Sequence, residues 1–203
     1  TLSAAYAGTT ASGLKITRIN GLAGGGSATC TVTATVKANA AGVRANVSGI
    51  ITSTNSGDNT TSTGYATADL TAVLPPVIAK QFAPTPILAN GTSTLTFTIT
   101  NPNQNNTLSD VAFTDVFPVA PGAMTVAAPL TTANTCGGTL QDSGGGALAA
   151  GDVGIQLTGG TITGGGNCTV TVNVTAPTLG TYDNTSGSVS HIINAATVNG
   201  NTT

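Results

Sequence analysis

One short pattern occurs twice in the 203 residues and constrains the fold more than anything else in them. Residues 24–36 read GGGSATCTVTATV, and residues 164–174 read GGGNCTVTVNV. In the second copy Cys168, Val170, Val172 and Val174 share one parity, while Thr169, Thr171 and Asn173 take the other. Alternation with period two predicts a strand with one face buried and one in water. Cys30, Val32, Ala34 and Val36 predict the same inward face for the first copy. The cysteines lie 168 − 30 = 138 residues apart. The same shift carries Thr1 and Leu2 onto Thr139 and Leu140, Gly42 onto Gly180, Asn46 onto Asn184, and Ser48 and Gly49 onto Ser186 and Gly187. Matches kept in register over that length are an internal repeat.

The register implies about one and a half copies of one module. Residues 1–74 contain no counterpart of residues 77–138 and read as the C-terminal part of a repeat. Residues 77–203 read as a repeat lacking its last strand, because residues 64–74 map onto 64 + 138 = 202 to 74 + 138 = 212. Pro75 and Pro76 form a short, stiff linker between them. Sheets cut in this way leave unpaired edges. The expectation is head-to-tail self-association with further copies of the repeat, in one continuous chain or by strand complementation.

Between these landmarks the chain reads as strands joined by Gly, Pro and Asn turns. Residues 92–100, TSTLTFTIT, place Leu95, Phe97 and Ile99 on one face and threonines on the other. Further strands are expected near Leu14 and Ile16, over 42–54, 65–74, 77–87, around Val111 and Phe113, over 124–128, 153–157 and 182–193, with a loop over 55–63. No helical periodicity competes. The fold class expected is all-β, built from antiparallel β-sandwich modules in tandem.

Composition narrows the function. Only 6% of residues are charged, every acid is an aspartate, and the net charge is −2. Without a basic cluster, nucleic acid is not an expected partner. No 18-residue apolar run occurs, so no membrane span is expected. The three cysteines lack zinc-site spacing, so a disulfide in an oxidising compartment is the better reading. Cys136 and Cys168 would pin the TCGG loop to the core strand, with two buried free thiols as the alternative. Cys30 has no partner in its own module, since the position matching Cys136 is 136 − 138 = −2.

Several motifs together resemble the bacterial conserved-repeat domains, of the group called domain of unknown function eleven, and their relatives. They are Lys80-x-Phe82-x-Pro84, the GTSTLTF strand, TNPN, Thr114-Asp115-x-x-Pro118, TCGGTL, GGGxCTVTV and Tyr182-x-Asn184-Thr185. The resemblance implies an immunoglobulin-like sandwich strung in tandem in long secreted or surface-attached proteins, with no known catalytic activity. The chain is therefore expected to be a non-enzymatic structural protein of an extracellular filament, stalk or surface layer. An adhesin-type module recognising a glycan or receptor is the competing class.

One set of residues carries chemistry of its own. Lys80 stands on the first strand of the module, Asp115 in its middle and Asn184 near its end. Adhesin sandwiches of Gram-positive bacteria can join such a lysine and asparagine by an isopeptide bond, helped by a buried acid. That chemistry needs a desolvated, neutral amine and a protonated carboxyl that polarises the amide. The plainer roles are a solvated lysine, a turn-forming aspartate and a strand-capping asparagine. No metal or cofactor site is expected: the loop aspartates lack calcium-loop spacing, the glycine triplets precede no helix, and His191 has no catalytic companion.

Overall fold

The computed structural model describes residues 31–53, 57–58 and 65–203. Its contacts divide the chain into two units, Thr1–Lys37 and Ala38–Thr203. Of the first unit only residues 31–37 are described, and they form no strand. Val32 and Val36 are 48% and 72% exposed, so the inward face expected there is not formed. A strand of this kind is stable only between partners. Among the described residues no strand pairs with residues 31–37. The expectations for Cys30, for Leu14 and Ile16, and for most of 55–63 lie outside the described residues.

The second unit begins with β1 (Gly42–Val47), β2 (Thr52–Ser53), β3 (Gly57–Asp58) and β4 (Thr67–Ala72). β1 pairs with β4 and β2 with β3, both antiparallel; β3 falls inside the stretch expected to be loop. Ten strands follow: β5 (Val77–Ala83), β6 (Thr92–Thr100), β7 (Leu108–Val116), β8 (Thr125–Val126), β9 (Thr132–Asn134), β10 (Thr139–Asp142), β11 (Gly154–Ile162), β12 (Asn167–Thr175), β13 (Ser190–Ile193) and β14 (Ala196–Asn199). They make two five-stranded sheets. One has the order β5-β6-β12-β8 with β9 also on β12, and the other β10-β11-β7-β13-β14. Among the described residues there is no helix, and every paired strand is antiparallel.

The alternation in the sequence sets the core. Leu95, Phe97 and Ile99 of β6 lie opposite Val172, Val170 and Cys168 of β12, and all six are buried. From the other sheet, Val111 and Phe113 of β7 and Ile155, Leu157 and Ile162 of β11 join the same cluster. Phe97 meets Phe113 across the sheets, ring centroids 4.7 Å apart. Each such side chain stabilises the fold by about 1.5–3 kcal/mol through removal from water. Two sheets sharing one apolar interior is the layering a β-sandwich requires.

Some boundaries differ from expectation. The strand near Val153 runs on to Ile162, past register shifts on either side of Gly160. A Cβ at Gly160 would sit 3.1 Å from the Val111 carbonyl, so glycine permits the close approach of β7. The last strand begins only at Ser190. Residues 181–189 make isolated bonds instead, such as Gly187 N–H to Thr114 O at 2.8 Å, and β14 then folds back on β13.

Ser48 and Ser186 make similar hydrogen bonds. Ser48 N–H donates to Ala66 O at 2.8 Å, and Ala66 N–H donates to Ser48 Oγ at 2.8 Å. At the equivalent serine, Ser186 N–H donates to Thr203 O at 2.7 Å and Thr203 N–H donates to Ser186 Oγ at 3.3 Å. Each hydroxyl donates to the next glycine's carbonyl, Gly49 at 3.0 Å and Gly187 at 2.9 Å.

Candidate functional site

Strand parity places the charged pair of the module inside it. On β5, Ile78, Lys80 and Phe82 share the inward face; on β7, Val111, Phe113 and Asp115 do. A lysine and an aspartate thus replace apolar residues at adjoining core positions. Lys80 Nζ lies 3.1 Å from Asp115 Oδ1, with side chains only 7% and 0% exposed. Asn184, in the irregular segment before β13, donates from Nδ2 to Asp115 Oδ2 at 2.7 Å. One buried carboxylate therefore holds the amine on one oxygen and the amide on the other. The three residues singled out from sequence are brought together; Lys80 is not solvated, and Asp115 lies within β7 rather than in a turn.

Two opposing effects act on the Lys80 amine. Burial lowers the Lys80 pKa, and the charge and hydrogen bond of Asp115 offset part of that. Lys80 Nζ also lies 5.8 Å from the centre of the Phe97 ring. Asn184 Oδ1 is buried and has no hydrogen-bond partner. An amide carbonyl enclosed without a donor costs about 1–3 kcal/mol, so this group is held in an unsatisfied state.

Cys136 and Cys168 form a disulfide, as the sequence predicted. It ties the loop after β9 to β12, where Thr135 N–H already donates to Thr169 O at 2.9 Å.

Two asparagines, Asn201 and the Asn103 of the TNPN motif, act as clamps, a role the sequence did not assign. Asn201 accepts from Ile78 N–H and donates to Ile78 O, each at 2.8 Å. Asn103 does the same to Leu74, at 2.7 and 2.9 Å. Pro75 and Pro76 are thus held from both sides. Nothing in the composition gives these two a role among the many asparagines of the chain; only their long-range partners do.

A cleft of about 310 Å³ opens at the end of β5, lined by Phe82, Pro84, Pro86, Leu88, Leu179 and Tyr182 among others. The Tyr182 hydroxyl there is engaged with the Thr178 backbone, donating to its carbonyl at 2.9 Å. Among the described residues no group of three His, Cys, Asp or Glu side chains is placed to hold a metal. None of the described helices could cross a membrane, since there are none.

Residues 76–203 match a domain of unknown function termed DUF7933. That is more than half of the chain. The chain belongs to the DUF7933 family. The matched region starts at Pro76, the second proline of the pair, and contains the whole Lys80–Asp115–Asn184 cluster and the disulfide. No curated protein matches the chain. The DUF7933 name describes no activity, so the function must be argued from the residues.

Proposed function

We propose that this DUF7933 protein is a non-enzymatic structural repeat of an extracellular filament, stalk or surface layer. In this reading its modules are immunoglobulin-like sandwiches in tandem, related to the domain of unknown function eleven group. The observation that carries it is the recurrence of the Ser48 hydrogen-bond pattern at Ser186. A sequence repeat that repeats its backbone bonding is one building unit used more than once, as repetitive assemblies are. The disulfide supports an oxidising, extracellular setting. Head-to-tail contact with further copies completes the assembly, and neither cofactor nor nucleic acid takes part.

The cleft beside Phe82 and Tyr182 favours the second reading, an adhesin-type module for a glycan or surface receptor. Its lining is mostly apolar and proline-rich, and its tyrosine hydroxyl is already bonded, which suits sugar hydroxyls poorly.

Immunogold labelling of intact source cells with antibody to residues 76–203 separates the readings. Regularly spaced label along filaments or over the envelope is expected. Label confined to the cell interior would overturn the structural reading. Saturable binding on a glycan array, abolished by Tyr182→Ala, would replace it with the adhesin reading.

A further inference from the structure

We propose that the module joins Lys80 to Asn184 by a self-formed isopeptide bond, with Asp115 as the proton carrier. This deepens the structural reading of the same cluster, but the bond would be formed by one chain alone, whether or not that chain enters a filament.

The geometry supplies what amide exchange needs. Asp115 holds the nucleophile and the electrophile on its two oxygens, at 3.1 and 2.7 Å, in a site nearly closed to water. Held reactants of this kind react with very high effective concentration. Passing a proton from the Lys80 ammonium to Asp115 Oδ1, 3.1 Å away, leaves the neutral amine that attack requires, and burial already lowers the Lys80 pKa. The Asn184 amide can turn half way round its Cβ–Cγ bond, exchanging oxygen and nitrogen with almost no change of shape. Oδ1, now without a partner, would then take the place 2.7 Å from Asp115 Oδ2 and accept the carboxyl proton. A carbonyl so polarised is open to attack at Cγ.

The step balances. The free electron pair of Lys80 Nζ forms a new bond to Asn184 Cγ, giving a tetrahedral centre whose oxyanion is held by the Asp115 carboxyl. Asp115 then moves a proton from the attacking nitrogen to the departing one. The bond from Cγ to Nδ2 breaks with its electron pair staying on nitrogen, and ammonia leaves. Of the five protons on the starting ammonium and amide, one remains on the new amide and three leave on ammonia. The fifth stays on Asp115 or departs with ammonia as ammonium. No oxidant, metal or co-reactant enters.

Water exclusion also separates this outcome from hydrolysis. The site lies between β5 and β7, and Phe97 packs beneath the amine, so the lysine is the nucleophile at hand.

The test uses the purified chain, reduced so that the disulfide does not confuse the mass. The intact mass should be lower than the sequence mass by one ammonia. Succinimide formation at Asn20-Gly21, Asn90-Gly91 or Asn199-Gly200 would lose the same mass, so position must be read as well. Lys80 is the last of the five Lys and Arg residues, and trypsin does not cut after an acylated lysine. The bond therefore predicts one tryptic fragment covering residues 45–203, short of one ammonia. Release of residues 45–80 and 81–203 as separate fragments would overturn the proposal, whatever the intact mass. Lys80→Arg keeps the positive charge beside Asp115 but offers no nucleophile. It should fold and show the full mass. Loss of ammonia in Lys80→Arg equal to that in the native chain would likewise overturn it. Because the readout comes from a single chain, a missing bond leaves the labelling test of the filament reading untouched.

Discussion

Opening the Cys136–Cys168 bond should weaken the fold by a calculable amount. The bond closes a loop of 32 residues. Chain-entropy arithmetic for such a loop gives about 12.4 cal/mol/K, or about 3.7 kcal/mol at 25 °C. The native side should change little. Thr135 N–H still donates to Thr169 O, Cys136 N–H to Asn134 Oδ1 and Thr161 N–H to Cys136 O, so the loop stays attached without the sulfur bridge. The loss thus resides in the unfolded chain, which gains freedom on reduction. The assay is urea unfolding of the same protein, oxidised and reduced, followed by far-UV circular dichroism. With a slope of about 2 kcal/mol/M, the midpoint should fall by roughly 1.8 M on reduction. The folded spectrum in the absence of urea should be unchanged. A shift worth less than about 1 kcal/mol would refute the entropic account. So would a reduced chain whose native spectrum differs, because the bridge would then be shaping the folded state.

Three further outcomes follow from single side chains. Asn101 is fully buried, donates to the carbonyls of Asn106, Ile162 and Thr163, and accepts from Asn103. Asn101→Ala strands those groups and should cost about 3 kcal/mol in denaturant unfolding. His191 is buried with neither ring nitrogen bonded, and burial lowers its pKa. Its imidazole therefore takes up a proton more readily in the unfolded chain than in the folded one. Its effect on stability is flat above the free-histidine range near 6.5, and stability declines below that by up to about 1.4 kcal/mol per pH unit. His191→Leu should remove that decline between pH 7 and 5, as read from thermal midpoints. Gly138 has φ +67°, and a Cβ there would collide with the Thr158 carbonyl, so Gly138→Ala should cost more than about 1 kcal/mol in chemical unfolding.

How far the fold was legible depended on whether period two spoke alone. On β6 and β12 it did: nine residues each, alternating without interruption, gave face and core together. The same rule applied to Ile78, Lys80 and Phe82, or to Val111, Phe113 and Asp115, marks the lysine and aspartate as inward. Residue type pointed the other way, towards solvent and turns, and parity won. Asn184 had no such signal, since it lies outside any strand and is placed by Asp115 itself. β9, β10 and β14 are three or four residues long, too short for a period to show. The first-copy strand failed for a different reason. Its pattern was sound, but among the described residues no strand pairs with residues 31–37, and pattern without partners leaves valines in water.

The Asn201 clamp has a mechanical consequence. Gly200 lies beside Pro76, and Asn201 grips Ile78, so the chain at 200–201 runs alongside β5 in the same sense. Tension that draws Pro76 and Thr203 apart along that common direction would slide the two segments past one another rather than peel them open. Both hydrogen bonds of the clamp would be loaded together, and neither could break first and leave the other to follow. Peeling would load them in turn and at lower force. A Lys80–Asn184 bond would lie just behind that clamp, in the path of any pull that defeated it. The interior between them, including the disulfide loop, would be shielded from the load.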